Sequence, residues 1–171
     1  DSQNFPRSLL NIYTDKISVD NFIYNIKKYS LITNESSQSF LGQTISLHRD
    51  TQAITLEYLL SLMSKKKRSR MLQNISKALE KYTDEIIASE DLSKLQSFVT
   101  HCEAFLTHED LLNTPTTNAM SADLGSIYYF LGYYKEGKKL LESCIVIFDK
   151  YKYRERLFKS LMYLGKIYVE T

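Results

Sequence analysis

Glycine and proline are scarce in this chain: its 171 residues include five glycines and only two prolines, Pro6 and Pro115. Turns between strands draw on those two residues, so their shortage disfavours an all-β fold and favours helices. Tryptophan is absent, and cysteine occurs only at Cys102 and Cys144, each inside an apolar helical pattern. Two thiols so placed read as buried and free, in a reducing compartment, rather than as a disulfide framework. No apolar run approaches the ~20 residues that a bilayer crossing needs. The opening "DSQNFPRSLL" lacks the basic and then apolar layout of a signal peptide. A net charge of +2 is too small to point to nucleic acid. A G-x-x-x-x-G-K-[S/T] loop is also missing, so no cradle of backbone N–H groups awaits phosphates and nucleotide hydrolysis is not expected of this chain. These readings together lead to a cytoplasmic, non-enzymatic protein without a membrane span.

What the chain does contain is helical periodicity, in a composition ordinary for a globular protein: 43% apolar and 25% charged residues. From Met71 onward apolar residues recur in steps of three and four, which places each set on one face of a helix. Met71, Leu72, Ile75, Leu79, Tyr82 and Ile86 form one stripe, and Leu95, Phe98, Val99, Cys102, Phe105 and Leu106 a second. Leu124, Ile127, Tyr128 and Leu131 form a third, Leu141, Cys144, Ile145 and Phe148 a fourth, and Leu157, Leu161, Leu164 and Tyr168 a fifth. Ser89, followed by Glu90 and Asp91, reads as a helix start. "HEDLLNTPTTN", around Pro115, reads as a connection between helix pairs.

The first sixty residues differ. "SLLNIYTD" and "SVDNFIYNIKKY" predict short helices, with Ser18 as a cap. "SLIT" and "TISLH" are β-prone runs separated by the polar "NESSQSFLGQ", which predicts a hairpin with a long loop. A helix follows whose core face would carry Ile54, Tyr58, Leu59 and Leu62. Two helices, a two-stranded wing and a further helix make a winged-helix-like order over 1–64. "SKKKRSR" would separate it from a helical remainder over 71–171.

"LGSIYYFLGYYKEGKKLLESC" carries the strongest architectural signal. Its Leu-Gly-x-Ile-Tyr returns forty positions on as "LGKIY". Leu124 and Gly125 are followed by Tyr128, Gly132, Tyr134, Gly137 and Cys144. Small residues are needed where two antiparallel helices cross at close range, and Gly132 falls where a turn is needed. This order resembles the tetratricopeptide repeat, with Gly137 and Cys144 in place of the usual alanines and without the usual tryptophan and closing proline. A spacing of forty implies longer helices or a longer connection, as in repeats of the kinesin-light-chain type. "LQSFVTHCEAFLTHE" reads as part of an earlier, degenerate pair, and the chain is expected to be a piece of a longer solenoid. The resemblance implies an α-α superhelix whose concave face carries Ser126, Tyr129 and Phe130, with Met162 and Lys166 from the second segment. Aromatics on that face would suit a protein or peptide ligand. Core packing accounts for Phe130 equally well.

"YSLITNESSQSFLGQTISLHRDTQAITLEYL" resembles the end of the winged-helix domain in NB-ARC-type (STAND) signalling ATPases, members of which continue into repeats of the longer kind. The family carries a Met-His-Asp motif at this strand-to-helix junction, whose histidine contacts ADP in the resting state. The matching residues are Leu47, His48 and Arg49, so His48 is the implied nucleotide-sensing position, while arginine in place of the acid leaves the motif's second interaction without its group. The resemblance implies the regulatory and sensor part of such an ATPase. Its nucleotide-binding domain would lie upstream in cis, ADP or ATP would bind only in the full-length protein, and this chain would hold no cofactor. A winged-helix transcription regulator with a repeat sensor domain and a plain repeat scaffold are the other readings.

Two constellations are set aside. His101 and His108 in "HCEAFLTHE" are ~10.5 Å apart along a helix axis, too far for ligands that must each lie ~2.0–2.3 Å from one zinc ion. The basic "SKKKRSR" reads as a solvated linker, because Lys27, Lys28 and Arg49 are too scattered to add the phosphate contacts that DNA binding needs.

Overall fold

Two three-residue turns and a pair of glycines set the geometry of the C-terminal helices. The computed structural model describes residues 4–39, 42–108 and 111–171, with the backbone alone for 33–39 and 42. The described residues are mainly helical, with one small sheet: β1 (Phe5–Pro6), α1 (Arg7–Tyr13), α2 (Lys16–Lys28), β2 (Ile32–Ser39), β3 (Gly42–Leu47), α3 (Arg49–Leu62), α4 (Lys65–Ala88), α5 (Leu92–Leu106), α6 (Thr114–Phe130), α7 (Tyr134–Lys150) and α8 (Arg154–Glu170). The chain divides into two units, Asp1–Ala78 and Leu79–Thr171, so the division falls within α4.

In the first unit, α2 starts at Asp15, whose carboxylate accepts from the Ser18 N–H at 2.9 Å and from its hydroxyl at 2.6 Å. Asp15 is therefore the cap and Ser18 its partner, a correction to the expected cap; an aspartate satisfies an orphan N–H at least as well as a serine. Val19, Ile23 and Ile26 of α2 bury against Ile45 of β3, and Leu10, Leu31, Ile32 and Leu47 close round them. The sheet is antiparallel in the order β1-β3-β2. Two of its features differ from the expectation. The polar stretch read as a long loop is mostly strand, residues 32–39 and 42–47, with Phe40 and Leu41 outside the described residues. Alternation of small polar residues lets a strand run where hydropathy alone suggests a loop. The hairpin also gains β1, with Phe5 paired to Ile45 and Pro6 to Thr44.

Two expected positions in this unit are overturned. No residue of α3 is buried, and Ile54, Tyr58 and Leu62 of its supposed core face are over 60% exposed. The small core is already closed by α1, α2 and the sheet. The basic segment is not a linker but the first turns of α4, and Arg68 reaches back to donate to the Leu60 carbonyl at 2.7 Å, one of the orphan acceptors at the end of α3.

The second unit is helical throughout. Asp91, not Ser89, caps α5 by accepting from the Lys94 N–H; the Ser89 hydroxyl instead donates to the Ile86 carbonyl as α4 ends. Asn113 caps α6 and Pro115 stands in its first turn, so the proline opens a helix rather than marking a linker. The α6–α7 and α7–α8 connections are three residues each and share one geometry. At the first, Tyr133 N–H donates to the Tyr128 carbonyl and Gly132 N–H to that of Tyr129. At the second, Tyr153 N–H donates to Phe148 and Lys152 N–H to Asp149. Both are Schellman motifs, and each needs a residue with positive φ: Gly132 at +77° and Lys152 at +60°.

The helices thus fold back as antiparallel hairpins. Where α6 meets α7, a Cβ built on Gly125 would lie 2.9 Å from Leu141 Cγ, and one on Gly137 would lie 3.0 Å from the Gly125 carbonyl oxygen. The two backbones touch only because both residues lack a side chain. Ala122, Leu141, Cys144, Phe148, Tyr163 and Ile167 fill the core of the three helices. Seventeen-residue helices with three-residue turns account for the forty-residue spacing, since α6 begins at Thr114 and α8 at Arg154. In α8 the buried stripe is Ser160, Tyr163 and Ile167. Leu161 and Tyr168, expected in that core, are exposed, because α8 is turned to present the neighbouring stripe.

Glycines in a helix interior cost roughly 0.5–1 kcal/mol against alanine unless packing requires them. Gly165, with nothing within 4 Å of its Cβ position, is therefore expected to gain about that much stability as Gly165→Ala, whereas Gly125→Ala loses ~1 kcal/mol or more by pressing on Leu141. Lys152→Gly relieves the left-handed backbone and adds ~1 kcal/mol. Urea denaturation of the three variants checks all three signs.

Candidate functional site

Where α6 and α8 lie side by side, aromatic residues packed on the helical core meet a cation at the surface. These helices run parallel as neighbours, with residue pairs 123 and 159 and 129 and 163 in contact. Tyr129 and Phe130 stand at the end of α6 with ring centroids 5.2 Å apart, and each lies 5.8 Å from the Tyr163 ring of α8. Tyr134 completes the group at 6.1 Å from Tyr129. Over these rings sits Lys166, its Nζ 5.1 Å from the Tyr163 centroid and 5.6 Å from that of Tyr129. An ammonium so held is pre-positioned by the rings' negative faces, with its charge still open to solvent.

Of the residues expected on a concave face, Tyr129, Phe130 and Lys166 come together here. Met162 lies one turn before Lys166 on α8 and is 39% exposed. Ser126 is only 1% exposed, and its hydroxyl donates to the Ala122 carbonyl at 3.0 Å, so it contributes a wall and not a contact surface. Tyr163 belongs to the buried stripe of Ser160, Tyr163 and Ile167, beside the stripe of Leu157, Leu161, Leu164 and Tyr168 to which the sequence pointed.

One turn below the rings lies a charged layer that the sequence did not announce. Asp123 of α6 is 2% exposed. Its Oδ1 lies 3.5 Å from Lys159 Nζ, and its Oδ2 has no partner. Lys159 also holds Asp84 of α4 at 2.5 Å, and Arg156 pairs with Glu80 of α4. Ala122, Asp123, Ser126, Arg156, Lys159 and Ser160 line a cavity of about 10 Å³, room for one water. Three carboxylates and two cations therefore share the layer. Burial pushes the Asp123 carboxyl up to about 6, against the pull of Lys159 and Arg156 and with help from Glu80 and Asp84. For Lys159, burial disfavours the charge, but Asp123 and Asp84 outweigh it and the ammonium is held above its ordinary value.

His48 occupies the junction between β3 and α3. It is the N-cap residue of α3, exposed, and its side chain makes no capping bond, while its N–H donates to the Leu31 carbonyl at 3.2 Å. His101 is buried with its ring 6.0 Å from Phe98, whereas His108 lies exposed beyond the end of α5. Both thiols are buried, Cys144 donating to the Asn118 carbonyl at 3.3 Å, and burial raises both pKa values, that of Cys144 to about 11. Neither thiol has the thiolate character that nucleophilic chemistry requires. No family model, curated protein or solved structure matches the chain.

Asp123 makes stability depend on pH in an unusual sense for a carboxylate. Its folded value of about 6 stands above the ordinary 3.8, so between those values the folded chain holds a proton that the unfolded chain has released. Its contribution is therefore unfavourable above pH 6 and is relieved as pH falls towards 4. Unfolding of the native protein and of Asp123→Asn, compared at pH 7.5 and 4.5, should show their difference moving by about 2 kcal/mol in favour of the native protein at the lower pH. A difference that stays flat places the Asp123 titration elsewhere.

Proposed function

We propose that this chain is a non-catalytic recognition module that binds a protein or peptide segment on the α6–α8 surface, through Tyr129, Phe130, Met162 and Lys166. The observation that carries this reading is Lys166 poised over the Tyr129 and Tyr163 rings: a cation and aromatic area, presented together with little entropy left to lose. Such a surface suits a partner segment offering a carboxylate beside an apolar side chain. The forty-residue period, the paired Schellman turns and the Gly125–Gly137 crossing support reading α6, α7 and α8 as tetratricopeptide-like repeats of the longer type. With His48 at a strand-to-helix junction, they favour placing the module in the sensor region of a STAND-type signalling ATPase, where ADP or ATP belongs to an upstream domain. A P-loop encoded upstream of Asp1 is what that placement requires.

A second reading draws on α4. Lys65, Lys66 and Lys67 are exposed in its first turn, where the helix dipole disfavours cations, so an anionic partner such as DNA would relieve them. A mobility-shift titration from 50 to 200 mM salt separates the two, because binding through phosphates falls steeply with salt.

Panning a random peptide library on the whole chain tests the first reading. Enriched peptides should bind Lys166→Glu about tenfold more weakly, a loss of ~1.4 kcal/mol, with the circular dichroism of the variant unchanged. Peptides that bind this variant as well as the native chain would place recognition away from the α6–α8 surface.

A further inference from the structure

The charged layer beneath the rings is one positive charge short. Glu80, Asp84 and Asp123 set three carboxylates against two cations, Arg156 and Lys159. Each cation already answers a carboxylate of α4, so Asp123 keeps only the 3.5 Å approach of an ammonium engaged elsewhere. Its Oδ2 is buried and accepts nothing, beside a cavity with room for one water. A proton is the smallest species that supplies the missing charge, and it turns an orphan acceptor into a donor. A water in the cavity would accept the hydrogen bond from the resulting carboxylic acid.

The groups within electrostatic reach of Asp123 come from four helices. Glu80 and Asp84 stand on α4, Arg156, Lys159 and Tyr163 on α8, Cys144 on α7 and Cys102 on α5. Burial raises both thiols and the Tyr163 phenol, so these three stay neutral while Asp123, at about 6, changes charge. Tyr163 also joins the layer to the recognition surface. It stands four residues after Lys159 and three before Lys166, whose Nζ lies 5.1 Å from its ring centroid. The two lysines are ~10 Å apart along the axis of α8. At that range, with an effective dielectric of about 40, unit charges at the two ends are coupled about fourfold. A carboxylate set over Lys166 therefore repels an ionised Asp123 and leaves a protonated one indifferent.

We propose that recognition on the α6–α8 surface is proton-linked: a partner's carboxylate on Lys166 is bound together with a proton on Asp123 Oδ2. This rests on the peptide recognition proposed at Lys166 and adds its regulation. Below pH 6 Asp123 already holds the proton and binding is at its tightest; above pH 6 the proton must be taken from solvent and affinity falls about fourfold. Reciprocally, an occupied surface holds the Asp123 proton more tightly by the same factor.

Two measurements decide this, and the first needs no ligand. Lys166→Glu places a carboxylate at the exposed position the partner's would occupy, a change of two charges. The Asp123 carboxyl carbon, followed by NMR from pH 4.5 to 8, should titrate about one pH unit higher in this variant than in the native chain. An unchanged midpoint overturns the linkage. The second uses N-acetylphenylalanine, one carboxylate beside one ring, with its neutral amide as the control and the Met162 methyl as the NMR reporter. The acid should bind the native chain about fourfold more tightly at pH 5 than at pH 7.5, and the amide equally at both. Asp123→Asn leaves every other titrating group in place and should bind the acid equally at both. Equal affinity of the native chain for the acid at both pH values overturns the proposal, and so does a pH dependence that survives in Asp123→Asn. Absence of acid binding at either pH counts against recognition at Lys166, while the Asp123 midpoint in Lys166→Glu still decides the coupling, so the two readings fail separately.

Discussion

The contact between the backbones of Gly125 and Gly137 governs the C-terminal unit. With no Cβ on either, α6 and α7 approach until a side-chain carbon on Gly137 would press on the Gly125 carbonyl oxygen, and Leu141 closes over the crossing. Everything alongside must follow that spacing. The α6–α7 turn is short enough to be served by one left-handed residue, and α7 returns α8 to the flank of α6 through a second turn of the same kind. Phe148 and Ile167 are then fully buried. A larger residue at either glycine would separate the helices by more than one side chain's slack, and the loss would spread to α8 through Ile167, which touches the Gly137 site.

Parallel placement of α6 and α8 has an electrostatic consequence. It brings Asp123 into a layer with Lys159 and Arg156, whose other partners are Asp84 and Glu80 on α4. Hydrophobic residues would pack such a position at lower cost, because burying charge forfeits more hydration than a single 3.5 Å pair restores. What the layer contributes is register: sliding α8 by one turn against α6 would strand a carboxylate with no cation near it. The unpartnered Oδ2 and the small cavity beside it show that the compensation is incomplete, and burial accordingly raises the Asp123 pKa.

How far the sequence disclosed this arrangement depended on whether one stretch of chain was enough to decide the question. The close crossing was legible because small residues at Gly125, Gly137 and Cys144 are spaced within two adjacent helices, and Gly132 marks its own turn by needing φ > 0. Tyr129, Phe130 and Lys166 could be nominated from the same pattern. The Asp123 layer could not, since Glu80, Asp84, Asp123, Arg156 and Lys159 are drawn from three separate helices and each looks like an ordinary surface charge alone. Ile54, Tyr58 and Leu62 failed for the converse reason: the period of an amphipathic helix says that a face is apolar but not that a partner covers it. Likewise the lysines of "SKKKRSR" are compatible with a solvated linker and with a solvated helix, and only the continuation of the Met71 stripe could have told them apart.

The paired tyrosines show how one helix packs on two flanks at once. Tyr128 and Tyr129 are adjacent and so point ~100° apart. Tyr128 turns towards α5, its hydroxyl donating to Glu103 at 2.9 Å, and burial raises its pKa to about 12, so it remains a neutral donor at any physiological pH. Tyr129 turns to α8 instead, where its ring meets Tyr163 and the Lys166 ammonium. Side chains locked on one flank hold α6 still, and a still α6 is what allows the other flank to offer an aromatic and a cation in a fixed relation. Preorganisation of that kind is what would lower the entropic cost of the binding proposed at that flank.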